Sequence, residues 1–404
     1  MREGLPEAAT RHKTYLEGRE ELFETKVLSI QEQEGGKRLM VFSRDPGSAS
    51  ALIPVMKELM GDSLSISAVV DGRAEEAMRK AFPESTEATP RASAFALDEY
   101  VGRPDVILID PSASERGLET NAASLFPSIP TVLIEDFYGT ANGYLDRIRD
   151  MQKTMPEVSA PARICVMDEA ARRIIAERHP ELAASIVVTG QPAFDRFATE
   201  DTPAIRERVR SELGLTTDDL LLSFMGIPNQ LSDITRLAPQ VKAAGGALGR
   251  RLVFVFRRHP RDNVQSEAYE RVLRDAGVDA PEKAYEMEGT SYRIPTDDIG
   301  AASDIVLTVS PTSGVEAALR RIPVVYMNDA MERKLSVPTP LPPLSLGAGA
   351  GISTVEQLPE LLARILEPDS EVTARMKDAM ERYYTADGKN AERVADVVRS
   401  ILPH

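Results

Sequence analysis

Hydroxyl residues, a glycine and an acid stand close together at Ser310, Thr312, Ser313, Gly314 and Glu316, between two apolar runs, 305–309 and 323–327. In order, this reads as a strand, a turn of small residues (310–314), a helix (315–321) and a second strand. A helix amino terminus exposes unpaired N–H groups and partial positive charge, which suits it to phosphate. Glu316, placed in the first turn of that helix, is acceptor-only when ionised and can take two ribose hydroxyl protons. The same residues also satisfy a plain helix start, with Ser313 as its cap and Glu316 favoured by the dipole.

Further chemistry-bearing residues follow other apolar runs. The run 38–42 passes into Ser43-Arg44-Asp45-Pro46-Gly47-Ser48-Ala49-Ser50 and then a helix. A small-residue turn between a first strand and a first helix is where α/β folds receive ligands. Arg44 suits bidentate pairing with phosphate, and Asp45 the deprotonation of a hydroxyl acceptor. An Asp-Pro-Gly turn beside a solvated arginine is the plainer alternative, and the Gly-Lys-Ser/Thr ending of a P-loop is missing. Asp110 ends the run 106–110, and Glu135 and Asp136 follow the run 131–134. Acids at the carboxyl ends of successive parallel strands converge on one rim, so Asp110 and Glu135 (or Asp136) are candidates for acid–base chemistry, with helix capping as the other role. Arg258 and His259 close the run 252–256 as a basic turn. Of four histidines, only His259 follows a strand.

The elements that must position these residues alternate along the chain. Short apolar runs rich in β-branched residues read as buried parallel strands, at 38–42, 64–70, 106–110, 131–134, 163–167 and 185–188, with helices between them. A polar stretch near residue 200 reads as a linker, and a second alternating half follows, with strands at 220–225, 252–256, 305–309 and 323–327. Residues 347–351 read as a flexible glycine turn, and 354–366 and 371–402 as helix. Two βα-alternating halves imply an α/β protein of two doubly wound, Rossmann-like domains facing across a cleft, where ligands are expected. The domains are placed at 37–200 and 201–404. Residues 1–36, with helical spacing of Leu16, Leu22 and Val27, read as a helical amino-terminal extension.

Composition narrows the class. Forty-two per cent apolar and 27 per cent charged residues among 404 describe a globular protein with ample core. Asp and Glu (63) exceed Lys and Arg (48), a formal charge of −15, which disfavours sequence-blind nucleic-acid binding. The one cysteine, Cys165, lies in an apolar run and builds neither a disulfide framework nor a cysteine zinc site. No apolar stretch reaches the roughly 20 residues of a membrane helix, and residues 1–13 are not signal-like, so a cytoplasmic location is expected.

With those residues in view, the chain from about Arg38 to Leu402 resembles the GT-B superfamily of nucleotide-sugar enzymes, nearest to the non-hydrolysing UDP-N-acetylglucosamine 2-epimerases. Val41-Phe42-Ser43-Arg44-Asp45-Pro46 is similar to their first loop, in which an arginine before proline meets the donor phosphate. Thr189-Gly190-Gln191-Pro192-Ala193-Phe194-Asp195 resembles the Thr-Gly-Asn-x-x-x-Asp end of their first domain. Phe256-Arg257-Arg258-His259-Pro260-Arg261-Asp262-Asn263 is similar to their His-x-Asn segment and to the Lys-x-His-Pro of glycerophosphate polymerases of the same fold. Ser313-Gly314-Val315-Glu316 matches their Ser-Gly-x-x-Glu nucleotide clasp with one residue fewer before the acid. The resemblance implies that Ser313 and Gly314 bind phosphate, Glu316 the ribose, Arg258 or His259 the diphosphate, and that residues 292–295 line the base.

The departures are specific. The epimerases' Thr-His-Arg segment reads Met225-Gly226-Ile227-Pro228-Asn229 here, without histidine, whereas acids persist at Ile109-Asp110 and Ile134-Glu135. The expected activity is therefore a GT-B glycosyltransferase moving a sugar from a nucleotide-diphospho-sugar, UDP-linked first, to a hydroxyl acceptor. Arg44 and the turn 310–314 would neutralise the leaving diphosphate without a metal, and Asp45 or Asp110 would act as base. An epimerase-like enzyme using Asp110 and Glu135, or a non-catalytic nucleotide-binding protein, is the alternative. No cofactor is expected beyond the donor substrate; the partners are a nucleotide sugar and a small-molecule or glycan acceptor, with homo-oligomerisation left open.

Overall fold

The computed structural model describes residues 26–44, 46–70, 73–89, 102–111, 118–259, 262–288, 291–309, 311–327 and 341–403. They form two compact units, one running to Asp195 and resuming at Gly388, the other spanning Arg196–Asp387.

The first unit holds an eight-stranded sheet: β1 (Lys26–Gln31), β2 (Lys37–Ser43), β3 (Leu64–Val70), β4 (Thr86–Thr89), β5 (Val106–Ile109), β6 (Thr131–Ile134), β7 (Arg163–Val166) and β8 (Ile186–Val188). Their spatial order is β4-β1-β3-β2-β5-β6-β7-β8. From β3 to β8 every pairing is parallel. Strands β5 and β6 are buried along their whole length, which is why they read as unbroken apolar runs and not as alternation. The order reverses between β2 and β5, so the crevice at their carboxyl ends is the topological switch point.

The amino-terminal edge departs from the sequence reading. Lys26–Gln31 is a strand, not part of a helical extension; it lies antiparallel to β3 and is flanked in turn by β4. Pairing with the open edge of β3 supplies partners for a row of backbone groups, an advantage that residue spacing within 1–36 does not report. Residues 1–25 lie outside the described residues.

The second unit holds a wholly parallel sheet of β9 (Leu220–Met225), β10 (Leu252–Arg257), β13 (Ile305–Thr308), β14 (Val324–Met327) and β15 (Ala350–Ile352), in the order β10-β9-β13-β14-β15. A two-stranded ribbon, β11 (Met287–Glu288) with β12 (Ser291–Tyr292), precedes the short helix Thr296–Ala302. The switch point falls between β9 and β13. Ala350–Ile352, read as a flexible turn, is instead the edge strand beside β14.

The boundary between units lies at Asp195/Arg196, five residues before the expected one, and the last helix returns to the first unit. That helix, Asn390–Ile401, carries Ala391, Val394, Ala395 and Val398 on one stripe, and all four join the core built on β2, β3 and the helix Pro46–Leu59. Asp195 accepts from the N–H groups of Asn390 and Ala391 at 2.9 and 2.8 Å, capping the helix. Arg393 and Asn390 donate to the Thr189 and Gln191 carbonyls. The segment from Thr189 to Asp195 thus docks the last helix. No helix among the described residues is long and apolar enough to cross a membrane.

Candidate functional site

The carboxyl edge of the second sheet carries most of the residues singled out from sequence. The helix after β13 spans Pro311–Leu319 and starts four residues earlier than expected. Proline suits a first helical position because its missing N–H would have no intrahelical partner there. Thr312, Ser313 and Gly314 are therefore in the first turn, and Glu316 is in the second. Ser310 lies outside the described residues.

Gly314 is fixed by packing. A Cβ at this position would stand 1.9 Å from the Tyr326 hydroxyl, and one at Gly349 would stand 2.8 Å from the same ring. Tyr326 is fully buried between the two glycines, and its hydroxyl finds no hydrogen-bond partner among the described residues. The absence of a side chain at Gly314 lets the helix settle directly on β14.

Glu316 lines a cavity of about 60 Å³ together with Ser313, Asp297, Met225, Gly300 and Arg320. Its Oε1 accepts from Arg196 Nη2 at 2.8 Å, and a fifth of its side chain stays exposed. Arg196 Nη1 also donates to Asp297, the second residue of the helix Thr296–Ala302. Burial pushes the Glu316 carboxyl up to about 7, with Asp297 adding to the rise and Arg196 and Arg320 opposing it. Arg320 is held elsewhere, by Glu200 in a two-pronged pair at 2.7 Å on each side. The Phe197 ring meets both guanidinium groups, its centroid 4.5 Å from that of Arg196 and 4.6 Å from that of Arg320.

Beyond β9, the loop 226–230 is closed by Gln230. Its Oε1 accepts from Ile227 N–H at 2.6 Å, while its Nε2 is buried without a hydrogen-bond partner among the described residues. Gly226 admits that arrangement, since a Cβ there would meet Gln230 Oε1 at 2.6 Å and the Phe256 ring at 2.7 Å. Beyond β10, Arg258 commits Nη1 to the carbonyls of Asp262 and Val264 at 3.2 and 2.8 Å, so this nitrogen shapes its own loop. His259 follows it, half-buried, its carbonyl accepting from Asp262 N–H at 2.9 Å. Arg257 is the buried cation of this edge. It donates to the carbonyls of Ala284 and Ile294 and lies 4.1 Å over the Tyr292 ring. Burial lowers its guanidinium to about 10, still charged at neutral pH. Arg257 thus anchors the segment that the resemblance assigns to the base.

In the first unit, Arg44 follows β2, Asp110 follows β5 and Glu135 follows β6. They occupy the carboxyl ends of three consecutive strands, the first two at the switch point. Asp45 lies outside the described residues. Asp110 and Glu135 are both 1 % exposed. Glu135 Oε1 accepts from Gly139 N–H at 2.8 Å, at the start of the helix Thr140–Gln152, and Oε2 is buried without a hydrogen-bond partner among the described residues. Burial raises the Glu135 carboxyl well above the usual carboxylate range, against those backbone donors, with Asp168 and Asp136 adding to the rise. Glu135 thus closes a helix start with one carboxyl oxygen. Gln191 donates to the Glu135 and Asp136 carbonyls at 3.2 and 2.9 Å and fixes the backbone beneath it. Burial pushes the Cys165 thiol up to about 12, which leaves it no nucleophilic character.

Sequence reasoning missed Arg196, Asp297, Gln230 and Tyr326. Arg196 directly follows the last residue of the Thr189-to-Asp195 motif, and Asp297 had the look of an ordinary helix-start acid. What makes them matter is contact over 101 and 120 residues of chain.

No protein-family model matches the sequence, and no curated protein matches it at a significant level. Solved structures do match the fold. MnaA from S. aureus, in a structure with UDP, superposes with a TM-score of 0.63 at 16% identity, covering 91% of this chain and 97% of that one. The UDP-GlcNAc 2-epimerase from Neisseria meningitidis bound to UDP-GlcNAc gives 0.62 at 15% identity, covering 90% and 100%. The wall teichoic acid polymerase TagF gives 0.51 at 11% identity, covering 98% and 96%. The chain shares the two-domain, Rossmann-like α/β fold of these structures.

Proposed function

We propose that the chain is a GT-B glycosyltransferase that takes a nucleotide-diphospho-sugar as donor and a hydroxyl compound as acceptor. The observation that carries this reading is the second sheet's switch point. There a hydroxyl-rich helix amino terminus, Thr312 and Ser313 in its first turn, is followed one turn later by an accessible acid, Glu316. Backbone N–H groups at such a terminus stabilise the charge that develops on a leaving diphosphate. Glu316 takes the ribose hydroxyls. In the first unit Arg44 supports the phosphates and Asp110 acts as base toward the acceptor. Asp110, at the carboxyl end of β5 and at the first unit's switch point, is the acid assigned to proton abstraction in a reaction needing one base.

The test begins with thermal stabilisation by UDP, GDP, CDP, dTDP and ADP, since a ligand of the native state raises its melting temperature. A shift with one nucleotide that Glu316→Ala abolishes supports the donor assignment, and acceptor-dependent release of that nucleotide then supports transfer. No shift with any of the five sinks the reading. A shift without turnover, whatever the acceptor, points to a nucleotide-binding protein instead.

A second reading is favoured by Glu135 itself. A carboxyl that burial makes a weaker acid, on the strand beside the one that Asp110 follows, is suited to act as an acid opposite a base, as an epimerase-like reaction requires. Interconversion of UDP-N-acetylglucosamine and its manno epimer with no acceptor present would establish that reading over transfer.

A further inference from the structure

Around Glu316 the charges are arranged asymmetrically. Asp297 approaches it from the helix Thr296–Ala302, Arg196 from the short 3-10 helix Pro192–Ala198, and Arg320 from its own helix, with Glu200 behind Arg320. Two carboxylates, Glu316 and Asp297, share the single guanidinium of Arg196. Arg320 lines the same cavity, but its fork is closed on Glu200 and its side chain is 3% exposed. Phe197 stacks on both arginines and fixes their planes. Only Oε1 of Glu316 is engaged among the described residues.

We propose that Arg196 is a positioning residue for the nucleotide, bridging Glu316 and Asp297 so that the Glu316 carboxylate is held in place, charged, for the ribose hydroxyls. The inference rests on the reading of Glu316 given above and adds to it the group that makes this acid usable. Without Arg196, two acids face each other in a partly dry cavity, and like charges at such a distance drive one of them to keep its proton. A protonated Glu316 has lost acceptor capacity that a pair of hydroxyls requires. Because the carboxyl already sits near neutrality, removal of one cation moves it across the working range of an enzyme. Arg196 therefore sets the pH range over which nucleotide binds, an effect that a simple staple between helices does not have.

The experiment measures UDP affinity by calorimetry from pH 5.5 to 9, for the wild-type chain and for Arg196→Gln, Arg196→Lys and Asp297→Asn. In parallel, carboxyl NMR of glutamate-labelled protein follows the Glu316 titration without ligand. In the wild-type chain affinity falls as pH drops through the Glu316 midpoint. Arg196→Gln moves that limb upward by about one unit, which lowers affinity about threefold at pH 7.5 and close to tenfold at pH 6, and leaves it nearly unchanged at pH 9. Arg196→Lys, which restores the cation, keeps the limb near its original place, and Asp297→Asn moves it down. Loss of affinity by the same factor at every pH in Arg196→Gln, or an unshifted Glu316 resonance, overturns the proposal while the nucleotide reading stands. Failure of the wild-type chain to bind any of the five nucleotides overturns both.

Discussion

The two sheets share a plan and differ in what stands on it. Strands β3-β2-β5-β6-β7 and β10-β9-β13-β14-β15 have the same order of crossovers, and each sheet reverses direction at one switch point. On the first, the loops after β5 and β6 begin with buried acids, Asp110 and Glu135. On the second, the corresponding edge is rich in donors: the amide of Gln230, the guanidinium of Arg257 and the hydroxyls of Thr312 and Ser313. Buried polar atoms without a hydrogen-bond partner among the described residues occur in both units, Glu135 Oε2, Arg147 Nε and His179 Nε2 in the first and Gln230 Nε2, Arg257 Nε and the Tyr326 hydroxyl in the second. Topology sets where the strand-end loops gather, and loop chemistry sets what each rim presents.

That contrast can be broken experimentally, and the largest effect belongs to the acidic side. Asp110→Asn is expected to cut turnover by about 10²-fold or more, the usual worth of a general base, while the nucleotide-induced thermal shift survives. Loss of the shift along with turnover would place Asp110 in nucleotide binding and dissolve the division. On the donor side, Gly314→Ala forces a methyl group into the Tyr326 ring and should cost about 1–3 kcal/mol in urea unfolding. Tyr326→Phe in the same chain should recover part of that loss, since the nearest clashing atom is the hydroxyl. An unchanged unfolding midpoint in Gly314→Ala would mean the helix does not rest on Tyr326.

Smaller effects sharpen the comparison. Asp195→Ala removes the cap of the last helix and should destabilise the first unit by about 1–2 kcal/mol, read as faster hydrogen exchange across 390–401. Glu135→Gln keeps an acceptor for Gly139 N–H and removes the titration. With a folded-state carboxyl above its unfolded value, wild-type stability is full below the ordinary glutamate range and declines as pH rises through the raised value. Glu135→Gln should therefore gain on the wild-type chain above neutrality and match it in mild acid. A variant less stable than wild type at pH 8 would show that Glu135 is ionised in the fold.

Much of the architecture was legible because buried parallel strands are written locally. Leu220–Met225 and Thr131–Ile134 are mostly apolar, buried from end to end, and found where the sequence indicates. Elements whose stability comes from distant partners were not. Lys26–Gln31 becomes a strand only because β3 offers an edge, and Ala350–Ile352 because β14 does. The helix start at Pro311 was hidden since proline reads as a turn wherever it is not recognised as a first helical residue. At the candidate site the residue types at Ser313, Gly314 and Glu316 were visible, but their partners were not. Arg196, Asp297 and Tyr326 act through space, and nothing in residue spacing links them to the helix they serve.

The docking of Asn390–Ile401 onto Asp195 has a consequence for biogenesis. A ribosome delivers the whole second unit before it delivers the helix that completes the core of the first. The second unit, continuous from Arg196 to Asp387, has every residue it needs while the nascent first unit still exposes the apolar groove that Ala391, Val394 and Val398 will fill. For the time taken to translate about 190 residues, that groove is a target for holding chaperones. The last unit to emerge is thus the first to be finished.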